Sequence, residues 1–141
     1  EFASFHETWK LNKYIGGGIK SFRYYCHQRP NIDPDSKFTC NMHPHNYYLE
    51  ILTETGILGF ITVLSIIFLI LYVSLFKKYF IKNSLMNNHF IVPFIFLFFV
   101  EIFPLKSTGS FFTTGNTTYI FLIMAILIGL IRQDNSIESK I

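Results

Sequence analysis

Three apolar blocks and one mixed polar segment set the plan of this chain. From Ile57 to Phe76 there is no charged side chain, a run of about 20 residues, which is the length a helix needs to cross a hydrocarbon core. Phe90 to Phe103 is a shorter apolar block, punctuated by Pro93, Glu101 and Pro104, and it reaches spanning length if Leu85 to Asn88 and Leu105 are included. Thr117 to Ile131 is the third block. Ahead of them, Phe2, Phe5 and Trp9 recur at helical spacing with Glu7 and Lys10 between. That pattern predicts an amphipathic helix, lying at a membrane surface or packed on other protein. Trp9 and Tyr14 suit a headgroup boundary. Gly16-Gly17-Gly18 breaks this helix, and Ile19 to Tyr25 predicts the start of a short one. Gln28 to Asn41 reads as loop, with Pro30, Asp33, Pro34, Asp35 and Ser36 as turn formers. Helix resumes near Pro44, a residue suited to the first helical position, and runs without a break into the first apolar block.

These blocks divide the chain into an outer loop segment 1–44, a helix 45–76 that becomes a span, an inner loop 77–88, a second span 89–106, an outer connection 107–116, a third span 117–132 and a tail 133–141. Charge assigns the sides. Lys77, Lys78 and Lys82 follow the first block and Arg132 closes the third; such clusters mark cytoplasmic ends. The expected fold class is therefore an all-α membrane protein. An extracytoplasmic helical and loop segment is followed by three transmembrane helices, as part of a larger multi-pass bundle. The chain starts at Glu1 without the basic, apolar and small-residue succession of a cleavable leader, and it reads as the C-terminal part of a longer membrane protein.

Composition agrees with a membrane setting. The 141 residues are 50% hydrophobic and 15% charged, against about 25% charged in soluble domains. A net charge of +3 with no basic-aromatic run gives no reason to expect nucleic acid as a partner. Both cysteines, Cys26 and Cys40, fall in the outer segment. There they are expected to form a disulfide, the alternative being two free thiols. His27 and His43 lie nearby, but the spacing is not that of a zinc site, and no metal is expected. The glycine run is able to cradle phosphate through its N–H groups. Its spacing to Lys20 and Ser21 is not that of a P-loop, and a plain turn explains it equally well. Glu50 and Glu54 share one helix face, pointing along the helix rather than across a cleft as a glycosidase pair would. Contacts with a loop or a neighbouring helix account for them. Glu101 is an ionisable residue inside a predicted span, a costly placement that often marks function.

The run from His45-Asn46 through Thr55-Gly56-Ile57-Leu58-Gly59 resembles the signature of the O-antigen ligase and O-antigen polymerase-like membrane glycosyltransferases: a His, usually followed by Asn or Ser, with ten residues between that His and a Gly, and soon a second Gly. The glycine turn with Phe22-Arg23 is similar to the segment that precedes this motif in the family. The resemblance implies a multi-pass protein of the bacterial inner membrane with its active-site loop in the periplasm. It implies transfer of a glycan from undecaprenyl diphosphate to an acceptor hydroxyl, on lipid A-core for a ligase, with membrane lipids around it. No cofactor or metal is implied. A polymerase, a protein O-oligosaccharyltransferase, or a non-enzymatic component of polysaccharide export are the alternative readings.

The residues suit that chemistry. An acceptor hydroxyl must lose a proton and a diphosphate must be held. His45, in the first helical turn, is the expected base, because the positive helix end favours a neutral ring. Arg23 is the first choice for the diphosphate and Arg29 the second, since guanidinium binds phosphate bidentately; Lys20 and Lys106 are weaker choices. His43 is expected to cap the helix or bind acceptor. His45, Leu49, Leu52, Gly56 and Gly59 form one helical stripe, along which the two glycines are expected to admit a neighbouring helix.

Overall fold

The computed structural model describes residues 2–29, 40–81, 90–105 and 109–138. Among these residues the regular structure is entirely helical. Helix α1 is Phe2–Leu11 and α2 is Phe22–Tyr25, extended by a 3-10 turn at Cys26–Gln28. Helix α3, Tyr47–Leu71, continues in wider π-type turns over Tyr72–Ile81. Helix α4 is Ile91–Glu101 and α5 is Thr114–Glu138. Much of the predicted 28–41 loop, the Leu85 to Asn88 extension, and Lys82 and Lys106 lie outside the described residues.

Two of these helices are long and apolar enough to cross a membrane, Tyr47–Phe76 and Thr114–Gln133. The expected second span, 89–106, is not among them. Helix α4 has 11 residues and rises about 16 Å at 1.5 Å per residue, half of a hydrocarbon core. It tolerates Pro93 because that residue stands in its first turn, where the missing N–H costs nothing. Pro104 follows its end. The inner loop expected from residue 77 begins later, since helical turns continue to Ile81. The tail expected from residue 133 is helical to Glu138.

The chain divides into two units, Glu1–Val63 with Pro104–Asn116, and Leu64–Phe103 with Thr117–Ile141. The second is a helical core. Ile91, Ile95, Phe98 and Ile102 recur at helical spacing on and just past α4, and bury with Ile70, Ile123 and Leu127. The first unit is built on Phe5, Phe22 and Cys26, with Trp9, Cys40, Leu49 and Leu52 packed against them. Burying each such aromatic contributes about 1.5–3 kcal/mol. The i,i+3 pair Glu7–Lys10, 2.8 Å apart, lies on the outer side of α1, and the ammonium holds that carboxyl below its usual range.

Cys26 and Cys40 are bridged, their sulfurs 2.06 Å apart. The bridge closes the excursion between them and fixes Cys40 three residues before His43. Replacing both cysteines with serine is expected to cost about 3 kcal/mol, the loop-entropy value for a closure of about 15 residues. Thermal unfolding in detergent with and without reductant checks this; an unchanged midpoint would show that the bridge does not stabilise the fold.

Candidate functional site

The site grows from the start of α3. Asn46, not Pro44, begins the helix. Its Oδ1 accepts the N–H groups of Tyr48 (3.0 Å) and Leu49 (3.3 Å), and its main-chain carbonyl takes the first helical bond from Glu50. A side-chain oxygen that satisfies two orphan N–H groups outweighs a proline that merely lacks one. The Asn46 amide also donates to the Pro104 carbonyl at 2.7 Å. His45 therefore stands just outside the helix, exposed to solvent, rather than in its first turn as expected. Its ring meets that of His43 edge-on, with centroids 5.0 Å apart.

One turn on, Glu50 is fully buried. Its carboxylate accepts from the Ser110 hydroxyl at 2.5 Å and from the Phe111 N–H. Tyr47 closes the same junction against the Phe111 ring, with centroids 5.5 Å apart. The Ser110 carbonyl is in turn held by Asn116 Nδ2 at 2.7 Å and the Thr113 hydroxyl at 3.0 Å. Glu50 is thus a fastener for the loop before α5, and charge-assisted bonds of this kind contribute about 1.5–3 kcal/mol each.

Gly56 is not helical, with φ 66° and ψ −170°. The expected unbroken helix and its five-residue stripe therefore end here. What approaches the glycine is a loop, residues 13–18, and not a helix. Gly17 donates to the Thr53 carbonyl (3.2 Å) and Gly18 to that of Glu54 (2.9 Å), while Ile57 and Leu58 donate to the carbonyls of Lys13 and Tyr14 (3.0 and 3.2 Å). Those four groups of α3 would otherwise bond one another in i→i−4 fashion. The loop is spliced into the helix ladder. A Cβ on Gly56 would overlap the Tyr14 carbonyl and Gly16 nitrogen, and one on Gly16 would overlap the Glu54 carbonyl. The expected role of Gly59 is different as well: the space beside it is filled by the Thr55 side chain.

The splice carries functional groups with it. Lys20, with φ 61°, donates its main-chain N–H to Glu54 Oε2 at 2.6 Å. Glu54 is 1% exposed, and its other oxygen is buried without a hydrogen-bond partner. Next along, Arg23 sits on α2, its guanidinium over the Tyr24 ring at 5.4 Å. A cavity of about 290 Å³ results, lined by Lys20, Arg23, His43, Glu50, Glu54, Ser110, Thr113 and Met42. A smaller one of about 80 Å³ is lined by both His43 and His45, together with the disulfide.

Of the residues expected at the site, Lys20, Arg23 and His43 line the larger cavity, and His45 adjoins it through His43. Arg29 is buried and is not among the lining residues. Glu50, Glu54, Ser110 and Thr113 were not expected there. The signal for the carboxylates was present in their placement, two acids one turn apart leading into an uncharged run; Ser110 and Thr113 carried none. The described residues hold no group of three metal-ligating side chains. Two cations, two carboxylates, a histidine and two hydroxyls make a lining that is able to hold an anion and hydrogen-bond a polyol. A scan of protein families, a search of curated proteins and a search of solved structures each return no match.

Proposed function

We propose that this chain carries the active-site segment of an O-antigen ligase-type glycosyltransferase, moving a glycan from undecaprenyl diphosphate to a lipid A-core hydroxyl at the periplasmic face of the bacterial inner membrane. One observation carries the reading. Lys20, Arg23 and His43 line one cavity in the first unit, and His45 and Asn46 line a second that shares His43 with it, shortly before the apolar stretch that starts at Ile57.

In this reading Lys20 and Arg23 hold the diphosphate and neutralise the charge left on it as the glycosyl bond breaks. His45 takes the acceptor's proton as the hydroxyl oxygen attacks the anomeric carbon. Ser110, Thr113 and the Glu54 carboxylate offer hydrogen bonds to sugar hydroxyls. The diphosphate leaves on its lipid.

The test is genetic and biochemical. Full-length protein in a ligase-null strain is expected to restore the polymer ladder on lipopolysaccharide gels, and Arg23→Ala to weaken it strongly at equal protein level. A ladder that never returns, with donor polymer accumulating on its lipid carrier, would refute the ligase assignment. New polymer lengths on the carrier itself would identify a polymerase.

A further inference from the structure

An irregular loop on a protein surface normally leaves its backbone groups to water. The loop after α1 gives many of its groups to protein instead. The N–H groups of Gly16, Gly17, Gly18 and Ser21 donate to the carbonyls of Asn12, Thr53, Glu54 and Gly18, and that of Lys20 donates to the Glu54 carboxylate. The Lys13 and Tyr14 carbonyls accept from Ile57 and Leu58. The side chains do the opposite. Tyr14, Ile15 and Ile19 are 72%, 75% and 66% exposed. Much of this main chain is bonded to protein while its apolar side chains turn outward, an arrangement suited to the headgroup boundary, where the remaining N–H and C=O groups still reach water and the apolar groups reach acyl chains.

Place gives a second argument. The loop is bonded to Ile57 and Leu58, at the start of the apolar run to Phe76. Whatever depth the outer end of that run takes in a bilayer, the loop shares it. Charge gives a third. Lys13 and Lys20 bracket the apolar side chains, and both are exposed. Lysine stems lie along acyl chains while their ammonium groups reach headgroup phosphates, and tyrosine prefers the same boundary.

We propose that residues 13–20 form a foot inserted into the outer leaflet, with Tyr14, Ile15 and Ile19 among the upper acyl chains, Lys13 on anionic headgroups and Lys20 at the mouth of the cavity. The inference rests on the reading of Ile57–Phe76 as a span, not on glycosyl transfer. It has a consequence for the cavity. Lys20 belongs to both the foot and the cavity lining, so the cavity opens at headgroup depth, where the phosphates of any lipid-borne substrate lie.

The experiment is depth-resolved quenching. Ile15→Cys and, separately, Phe68→Cys are introduced into the full-length protein and labelled with an environment-sensitive fluorophore. Cys26 and Cys40 are already joined. Phe68 is exposed near the middle of the apolar run and reports on the span itself. The protein is placed in vesicles of phosphatidylethanolamine and phosphatidylglycerol carrying a nitroxide either near the headgroup or near the chain end. The label at 15 is expected to lose fluorescence to the shallow nitroxide and resist iodide, and the label at 68 to lose fluorescence to the deep one. Quenching at 68 with iodide access at 15 overturns the foot and leaves the span intact. A blue-shifted label at 15 that no lipid nitroxide quenches also overturns the foot, because another protein segment then covers it. No quenching at either position overturns the span reading and the foot together. Foot insertion also predicts that exchanging phosphatidylglycerol for phosphatidylcholine weakens shallow quenching at 15 and leaves 68 unchanged; equal quenching at 15 in both lipids removes the headgroup part of the proposal.

Discussion

Under the proposed ligase chemistry, His45→Ala abolishes the lipopolysaccharide ladder, whereas His43→Ala leaves it visible. The two rings touch, so adjacency does not separate them; access does. A general base must come within hydrogen-bond reach of the proton it removes, and its loss costs about 10²–10⁴-fold in rate. His45 is exposed, one residue before the cap, where an acceptor hydroxyl is able to reach it. The Nε2 of His43 is buried without a hydrogen-bond partner, and its ring forms the wall shared by the two cavities. Removing it enlarges and loosens the site while the base remains. The measurement is transfer to lipid A-core by full-length variants at matched protein levels, first on gels and then as single-turnover rates. A normal ladder from His45→Ala would remove it as the base. Loss with His43→Ala alone would pass that role to the cavity histidine.

Gly56→Ala is expected to prevent the full-length protein from accumulating in folded form. Its φ and ψ lie where essentially only glycine is at ease, and holding another residue there costs about 1–3 kcal/mol. The added methyl also overlaps the backbone of the loop at Tyr14 and Gly16. If the loop withdraws, four inter-segment hydrogen bonds are exchanged for two within the helix, a net loss of about 2 kcal/mol at about 1 kcal/mol per bond. The total is a large part of the ~5–15 kcal/mol that keeps a typical domain folded. Gly16→Ala should behave alike, since its methyl meets the Glu54 carbonyl. Gly18→Ala should be milder: φ is 99°, but no atom lies within 4 Å of the new methyl. Thermal unfolding in detergent orders the three. A Gly56→Ala protein as stable as the Gly18→Ala protein would contradict the splice.

How much of this was legible in the sequence depended on what each feature is made of. The apolar runs gave α3 and α5, because hydrophobicity over 20 residues is a property of side-chain type alone. The glycine break before residue 19 and the pairing of Cys26 with Cys40 were also readable. The helix start at Asn46 was missed by one signal outranking another: Pro44 has the right φ, but Asn46 has the oxygen. The length of α4 was overestimated because its apolar composition runs past the point where Ile102 leaves the helix. The break at Gly56 left no trace in periodicity. A glycine in an apolar run reads as a packing site, and the groups that replace its missing bonds come from some forty residues upstream. Glu50 and Glu54 make the loop contacts expected of them, but which loops, and that both acids would be buried, was not legible, because Ser110, Phe111 and Lys20 are supplied by other parts of the chain.

The splice also means that four groups of α3 have two possible sets of partners. Without the loop, Ile57 bonds Thr53 and Leu58 bonds Glu54, and a straight rod runs from Tyr47 into the apolar run. With it, all four turn outward to Lys13, Tyr14, Gly17 and Gly18, and two bonds become four. The straight rod is the natural competitor of the native structure during folding, since it closes on local contacts alone and forms sooner. Gly56 is weak at holding that rod together. The same residue that permits the native bend therefore also keeps its rival from prevailing.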